Sequence, residues 1–241
     1  MGAFLGPLLA IFLLFSLKIE LRSIFYLAII PGLLAVLMMV WVKEKPLAEK
    51  VKSKVVITFH KFPAAYWRYL LVTAIFGIGN SSTAFLILQT KYIGVSLEGT
   101  IFIYAVFNLI AAAASYPSGF LSDKFGRKYL LFIAFMIFIF AYLGFAMTTS
   151  IFYIVMLFPV YGIFQGIFRA VGKALASDFV PAGMRASSIG WYSTTVGLSG
   201  LVASIIAGIL WDKVGHTSVF VYGAVFAFFG SIALLVLIPK K

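Results

Sequence analysis

The sequence predicts an all-α protein, a polytopic bundle of transmembrane helices. Of its 241 residues, 63% are hydrophobic and only 11% are charged, and the mean hydropathy is +1.10. This number of polar side chains is too small to cover the surface of a soluble protein of this size. Part of the surface is therefore expected to contact lipid. The apolar stretches are about twice as long as barrel strands and do not alternate with period two, which favours helices over a transmembrane barrel.

Eight apolar segments are separated by charged residues or by clusters of Gly, Pro, Ser and Thr. A hydrocarbon core about 30 Å thick requires roughly 20 apolar residues in each helix, and nearly all of these segments approach that length. Each span must satisfy its own backbone hydrogen bonds, so each is expected to be helical. The predicted spans are 2–17, 23–42, 69–90, 100–120, 129–148, 151–172, 187–210 and 218–239.

The first segment is shorter than the others. It has about fifteen apolar residues between Met1 and Lys18, against the roughly 17 to 25 of most spanning helices. It also starts at the initiator methionine without a cap or a polar flank. We therefore expect this helix to be the remainder of a longer one, in a truncated or split chain.

Basic residues are distributed unevenly among the predicted loops. The formal charge is +12, from 19 Lys and Arg against 7 Asp and Glu; 18 of the 19 basic residues lie outside the predicted spans, and alternate loops carry fourteen of these 18. This is the positive-inside pattern of membrane proteins. It predicts cytoplasmic N- and C-termini, with the 43–68 segment, the 123–128 turn and the 173–185 loop on the same side. Because the membrane explains the basic residues, nucleic-acid binding is not expected.

The sequence does not predict an enzyme. It has no cysteine, and its two histidines, His60 and His216, fall in predicted loops on opposite sides of the membrane. No catalytic or metal-binding set can be assembled from them, so neither a metal site nor a cofactor is expected. The sequence also has no Gly-rich phosphate loop, which argues against transport driven by ATP. Secondary transport or a non-transporting membrane role remains.

The turn between the fourth and fifth predicted spans carries a motif that occurs twice. Residues 119–126, G-F-L-S-D-K-F-G, are matched by residues 208–215, G-I-L-W-D-K-V-G, with five identities at an offset of 89 residues. That offset contains three spans, and an odd number of spans puts the copies on opposite sides of the membrane. Three-helix units repeated with inverted topology are a known way to build transporters.

The first copy, extended by Arg127 and Lys128, resembles the signature cytoplasmic loop of the major facilitator superfamily. The 178–185 segment is similar to the family's helix-loop-helix joint, and Gly6-Pro7 is similar to the Gly-Pro of its fifth helix. The resemblance implies that the eight spans are the fifth to twelfth of twelve helices, with the first four absent. The antiporter motif Gly-Pro-x-x-Gly-Gly is not completed after Pro7, which weakens an assignment as a drug/proton antiporter.

The resemblance also implies a domain organisation and a location. Residues 1–42 would be the last two helices of an N-terminal half, 43–68 a basic cytoplasmic linker, and 69–241 a six-helix C-terminal half. The protein would be integral to the membrane, and the plasma membrane of a prokaryote is expected. Its partners would be the lipid bilayer, a small-molecule substrate and, for transport, a chain that supplies the missing helices.

The residues of the signature turn suggest separate roles. Gly119 would let neighbouring helices approach, and Gly126 would let the backbone reverse within a short loop. Arg127 and Lys128 would hold the turn at the cytoplasmic headgroups. Asp123 can pair with Arg127 or face the partial positive charge at a helix N-terminus. The resemblance implies that this loop docks on the start of the fifth helix, so Asp123 would act as a conformational latch; a solvated turn is the alternative.

Polar residues inside the spans are candidates for substrate contact. All seven acidic residues lie in or beside loops, so coupling to protons would need groups in the missing helices or is absent from this part. The resemblance places the third and sixth spans around the central cavity of the family. Arg169 lies about eighteen residues from the outer end of the sixth span, so it is expected to extend to the cytoplasmic interface rather than into a cavity. The candidate contacts are Asn80, Asn108, Tyr161 and Gln165.

Interhelical hydrogen bonding without any substrate is the alternative for each of these four residues. With the topology and the signature turn, they favour a secondary transporter that moves a small solute by alternating access. A membrane fragment without transport activity, or a subunit of a larger assembly, is the alternative function.

Overall fold

A computed structural model of the protein describes residues 2–41 and 62–239. These ranges contain α-helices joined by short connections, a π-helical turn at Phe12–Ser16 and a 3-10 turn at Ala182–Met184. The α-helices are α1 Gly2–Ile11, α2 Leu21–Leu27, α3 Ile29–Trp41, α4 Ala64–Gly79, α5 Ala84–Tyr92, α6 Leu97–Phe125, α7 Arg127–Met147, α8 Ile151–Asp178, α9 Arg185–Lys213 and α10 His216–Leu237.

The predicted all-α membrane bundle is confirmed. In the described ranges, seven helical stretches are long and apolar enough to cross a membrane, beginning with Arg22–Trp41, which joins α2 and α3. The first predicted span, 2–17, corresponds to α1 and the π-helical turn, and its apolar part, Leu5–Ser16, is shorter than the seven others. Eight spans is therefore an approximate count.

The third predicted span is interrupted. α4 ends at Gly79, and Asn80 has φ −90° and ψ 77°, outside the helical region, before α5 begins at Ala84. Backbone groups freed at this break find partners on other helices, as a membrane interior requires. The Ser82 N–H donates to Ser204 Oγ of α9 at 3.2 Å, and Tyr222 of α10 donates its hydroxyl to the Ile78 carbonyl at 2.7 Å.

Aromatic rings fill the interior between α4, α7, α8 and α10. Phe76 of α4 stacks on Phe135 of α7 with ring centroids 3.9 Å apart. Toward the other end of the bundle, Phe145 of α7 stacks on Phe220 of α10 at 5.7 Å. Such rings contribute a large buried apolar area and a preferred geometry to the core. Much of the chain's high Phe content is therefore used in helix packing.

α6 and α8 approach each other closely through small residues. A Cβ at Gly162 of α8 would lie 2.9 Å from the Phe107 carbonyl oxygen of α6, and one at Gly166 would lie 2.6 Å from the Ala111 carbonyl oxygen. Gly162 and Gly166 form a small-xxx-small pair, which lets two backbones pack where lipid supplies no hydrophobic driving force. This contact sets the position of α6 relative to α8.

The N-terminal helices are attached differently from the rest. α1 packs against α6. By contrast, the apolar window of Arg22–Trp41 has no buried residues in the part of the chain that the structure describes. The body of the fold is thus formed by α4 to α10, and α1 lies on the α6 side of it.

Candidate functional site

The signature turn is a helix end followed by a single connecting residue. α6 continues through Asp123 to Phe125, beyond the predicted boundary at 120, and α7 starts at Arg127. Gly126 between them has φ +93°, in the region that favours glycine because it has no Cβ. The backbone reversal predicted for Gly126 is therefore present.

The second copy of the motif forms a similar turn. Gly215 has φ +122° and connects α9 to α10. Three membrane-crossing helices, α7, α8 and α9, separate it from Gly126. The structure therefore supports the inverted repeat predicted from the sequence.

The close helix approach predicted for Gly119 is absent from this structure. A Cβ built there meets no heavy atom within 4 Å among the described residues. That side of α6 is open, since α8 packs on another face of α6, at Phe107 and Ala111. The residues that permit close packing are Gly162 and Gly166, on the other helix of the pair.

Arg127 ties the start of α7 to the end of α8. Its Nη1 donates to Asp178 Oδ1 at 2.6 Å and to the Ala174 carbonyl oxygen at 2.9 Å. Asp123 lies farther away, at 3.4 Å, and its side chain is 71% exposed, whereas that of Asp178 is 31% exposed. A short, less exposed pair is screened less by water, so Asp178 is the stronger partner. The predicted Asp123–Arg127 pair exists but is the weaker of the two.

Lys128 makes the corresponding contact with α10. Its Nζ donates to the carbonyl oxygens of Leu235, at 3.0 Å, and of Ile238. A positive charge at a helix C-terminus is favourable because the last carbonyls lack intrahelical partners. The two basic residues, expected to hold the turn at lipid headgroups, here bind the C-terminal ends of two neighbouring helices.

Two cavities in the described ranges adjoin residues predicted from the sequence. The larger, about 640 Å³, lies beside the signature turn. Its lining includes Arg127, which binds Asp178 of α8, and Lys128, which binds the Leu235 carbonyl of α10. The smaller, about 370 Å³, lies at the break between α4 and α5. The smaller cavity is the better candidate for a solute-binding site, because Asn80 and three serines line it near the middle of the predicted span.

The smaller cavity, called here the break cavity, has contributions from α4, the break, α8 and α9. Its polar groups are the Asn80 amide and the hydroxyls of Ser81, Ser82 and Ser204. Ser81 Oγ is buried and has no hydrogen-bond partner in the described part of the chain. The remaining lining residues are Gly77, Phe168, Val196, Gly197, Gly200 and Leu201.

Tyr161 and Gln165 line neither of the two cavities; they lie one turn apart on α8, the helix that contributes Phe168 to the break cavity. Gln165 Nε2 donates to the Tyr161 hydroxyl at 3.5 Å, a long bond that leaves the amide weakly held. Tyr161 is fully buried and stacks on Phe107 at 5.5 Å. The Tyr142 hydroxyl is in electrostatic reach of both Ser81 and Tyr161, which connects this pair to the helix break.

Asn108, the fourth candidate, is separate from this group. Its Nδ2 donates to the Tyr104 carbonyl oxygen of its own helix at 2.8 Å. It lines neither of the two cavities described above. For Asn108 the structure therefore favours the alternative given above, hydrogen bonding within the helix bundle without a substrate.

Sequence reasoning missed several residues in the interior of the bundle. Ser204 and Phe168 reach the break cavity from helices far along the chain, which no local pattern indicates. Gln89 of α5 is fully buried, and neither amide atom has a partner in the described ranges. The sequence feature that could have identified it is a single amide side chain within an apolar segment. Within the same ranges, no group of three or more His, Asp or Glu is placed to hold a metal ion.

The bundle of apolar helices defines the class of the protein as a polytopic membrane protein. Residues 69–241 match the family model of the Major Facilitator Superfamily, and the chain belongs to that family. The family expected from the signature turn is therefore confirmed.

Two curated proteins are similar to the chain. It is 33% identical over 240 residues to an uncharacterized MFS-type transporter of Methanocaldococcus jannaschii, covering 97% of this chain and 60% of that protein. It is 32% identical over 125 residues to an uncharacterized transporter of Buchnera aphidicola subsp. Schizaphis graminum, covering 52% of this chain and 32% of that protein. The chain thus spans no more than 60% of the length of either relative.

Proposed function

We propose that this chain forms part of a secondary transporter that moves a small solute across the membrane by alternating access. The observation that carries the proposal is the break cavity. Irregular backbone at membrane depth is tolerated where protein buries it or where it lines a cavity, and substrate sites in transporters use such broken helices. Asn80, Ser81 and Ser82 at this break and Ser204 of α9 line this space, and the other lining residues are apolar side chains and glycines.

Tyr161 and Gln165 are proposed to complete the solute site. Support comes from their long mutual hydrogen bond and from Tyr142, whose hydroxyl is within reach of both Tyr161 and Ser81 at the break. A solute that hydrogen-bonds to Gln165 would replace only the weak bond to Tyr161, so binding would cost little free energy from the broken internal contact. Asn108 is not included, because its amide is already bonded at 2.8 Å.

Asp123 is proposed to act as a latch between conformers. Its side chain is 71% exposed and its pair with Arg127 is long, so the carboxylate can take another partner at small cost. The start of α1 is that partner in the proposal, supported by the packing of α1 on α6. A carboxylate at a helix N-terminus is worth on the order of 0.3 to 2 kcal/mol, enough to shift a balanced two-state equilibrium. If Asp123→Asn leaves the conformer populations unchanged, Asp123 is not a latch.

The proposed organisation follows the family. Residues 1–42 belong to an N-terminal half, 43–68 form a cytoplasmic linker and 69–241 form the C-terminal half, with both termini cytoplasmic. Most of the proposed linker, residues 43–61, lies outside the described residues. Archaeal and bacterial relatives support the plasma membrane of a prokaryote as the location.

Uptake into proteoliposomes tests the proposal. The chain would be reconstituted with and without any in-frame sequence found upstream of Met1, and supplied with labelled sugars, amino acids, nucleosides and organic anions. We expect at least one solute to be taken up, and we expect Asn80→Leu and Gln165→Leu to abolish that uptake while the protein remains folded. Uptake only with upstream helices would identify the chain as a partner subunit. No uptake in either preparation would favour the non-transporting fragment and contradict the proposal.

A further inference from the structure

Arg169 is an unusual residue for its position. It lies inside the apolar stretch Ile151–Asp178, nine residues before its end, and its side chain is exposed. An arginine within a membrane-spanning segment is energetically costly, and such residues generally face a polar cavity or a substrate path. Its depth agrees with the cytoplasmic side expected from the sequence, but depth does not determine which way the side chain points.

The helix register aligns Arg169 with the candidate solute contacts. Tyr161, Gln165 and Arg169 are spaced four residues apart on α8 and therefore lie along one face. Gln165 bonds to the Tyr161 hydroxyl, and the Arg169 guanidinium is within Coulombic reach of that same hydroxyl. The three side chains form a continuous polar row down the helix.

The neighbours of Arg169 define the direction of this face of α8. Gly166, three residues before it, packs against α6 at Ala111, and Gly172, three residues after it, packs against α9 at Tyr192. At 100° per residue these glycines lie about 60° to either side of Arg169 around the helix axis. Arg169 therefore projects between α6 and α9, and Phe168 beside it lines the break cavity.

No acidic side chain in residues 2–41 and 62–239 forms an ion pair with Arg169. Asp123 and Asp178 pair instead with Arg127 at the signature turn. A guanidinium presents a planar fork of donors that fits the oxygens of a carboxylate or a phosphate. Such an anion would supply the missing negative charge at this depth.

We propose that Arg169 binds an anionic group of the transported solute, so that the substrate is a small carboxylate or phosphate compound. This rests on the proposed function, because it assigns a substrate class to the same site. The uncharged part of the solute occupies the break cavity, where Asn80, Ser82 and Ser204 offer hydrogen bonds. Its volume of about 370 Å³ fits a small metabolite.

Binding to the full chain in nanodiscs tests the substrate class. The probes are lactate, benzoate and glycerol 3-phosphate, each paired with its uncharged counterpart, lactamide, benzamide or glycerol. We expect at least one anion to bind roughly ten- to hundredfold more tightly than its counterpart, as a charged hydrogen bond would produce. Arg169→Gln should abolish the preference and Arg169→Lys should keep part of it. Lys91→Gln removes the same charge from the far end of α5 and should keep all of it.

The outcomes separate the two proposals. Equal binding of an anion and its counterpart, or a preference that survives Arg169→Gln, overturns the assignment to Arg169 and leaves transport intact. Absence of binding by every probe also overturns the inference, whereas the uptake measurement decides on transport independently. The carboxylate and phosphate probes identify which anion the site prefers.

The absence of cysteine from all 241 residues permits a second test that needs no ligand. A thiol at Arg169→Cys should react with a membrane-impermeant methanethiosulfonate, because the proposal puts this residue on the water-filled path of the solute. Ile163→Cys, also exposed but on another face of α8, should not react. No reaction at position 169, or equal reaction at both, contradicts the direction assigned to Arg169.

Discussion

At the scale of single residues, Arg127 shows that distance and exposure decide which of two ion pairs matters. Asp178 lies 2.6 Å away on a neighbouring helix, and Asp123 lies 3.4 Å away on an exposed helix end. Exposed pairs of the second kind contribute about 0 to 1 kcal/mol, whereas bonds to charged groups in less exposed settings contribute about 1.5 to 3 kcal/mol. The stability of the signature turn therefore depends mainly on Asp178.

We predict that Arg127→Gln lowers the free energy of unfolding by about 1 to 2 kcal/mol, because it also loses the bond to the Ala174 carbonyl. Asp123→Asn should change it by less than about 0.5 kcal/mol. Thermal unfolding in detergent, with double-mutant cycles of Arg127 with Asp123 and of Arg127 with Asp178, measures the coupling energy of each pair. A coupling of Arg127 to Asp123 as large as that to Asp178 would contradict this ranking.

Residue-level roles were predictable from the sequence only where they are local. The positive φ of Gly126 follows from a glycine in a one-residue connection, and the Asp123–Arg127 pair follows from helical spacing. The Arg127–Asp178 pair joins positions 51 residues apart. It depends on how α7 and α8 are rotated against each other, which no periodicity in the sequence specifies.

At the scale of helices, the α6–α8 contact depends on glycine at positions where any side chain meets backbone. We predict that Gly166→Ala costs about 1 to 3 kcal/mol, because its Cβ would lie 2.6 Å from the Ala111 carbonyl oxygen and the helices must separate. Gly208→Ala on α9 is the matched control, since its Cβ would meet nothing within 4 Å in the described chain. It should be neutral or slightly stabilising. Equal unfolding temperatures for the two variants would refute the close contact.

The two motif turns give a second prediction about helices. Gly126→Ala and Gly215→Ala should each destabilise the protein by about 1 to 2 kcal/mol, since alanine is disfavoured at a positive φ. Gly119→Ala, in the same motif but in helical conformation with open space around it, is the control. The unfolding temperatures of the three variants measure the effect, and a loss at Gly119 as large as at Gly126 would show that the φ values do not explain it.

Helix existence was predictable from apolar length, but helix continuity was not. The sequence predicts one span at 69–90, where the structure has α4, a break and α5. Asn80 and the serines after it indicate an interruption, yet only the bonds to Ser204 of α9 and from Tyr222 of α10 show how the break is held. The break cavity needs those distant helices and therefore could not be predicted from the local sequence.

At the scale of the whole molecule, the inverted repeat constrains the topology. Asp123 and Asp212 occupy equivalent positions before the two glycine turns, with three membrane-crossing helices between those turns. We predict that Asp123→Cys and Asp212→Cys react with impermeant thiol reagents from opposite sides of sealed, oriented vesicles. The naturally cysteine-free chain is the background control. Labelling of both from one side would contradict the inverted topology.

The central claim is that solute passes through the space formed by the α4–α5 break, α8 and α9. Uptake of the best solute from the panel, compared between the unchanged protein, Asn80→Leu, Gln165→Leu and Asn108→Leu, tests it most directly. We predict that the first two variants lose uptake while Asn108→Leu keeps most of it, with all of them equally present in the membrane. Full uptake by Asn80→Leu and Gln165→Leu would place the solute path elsewhere and contradict the proposed site.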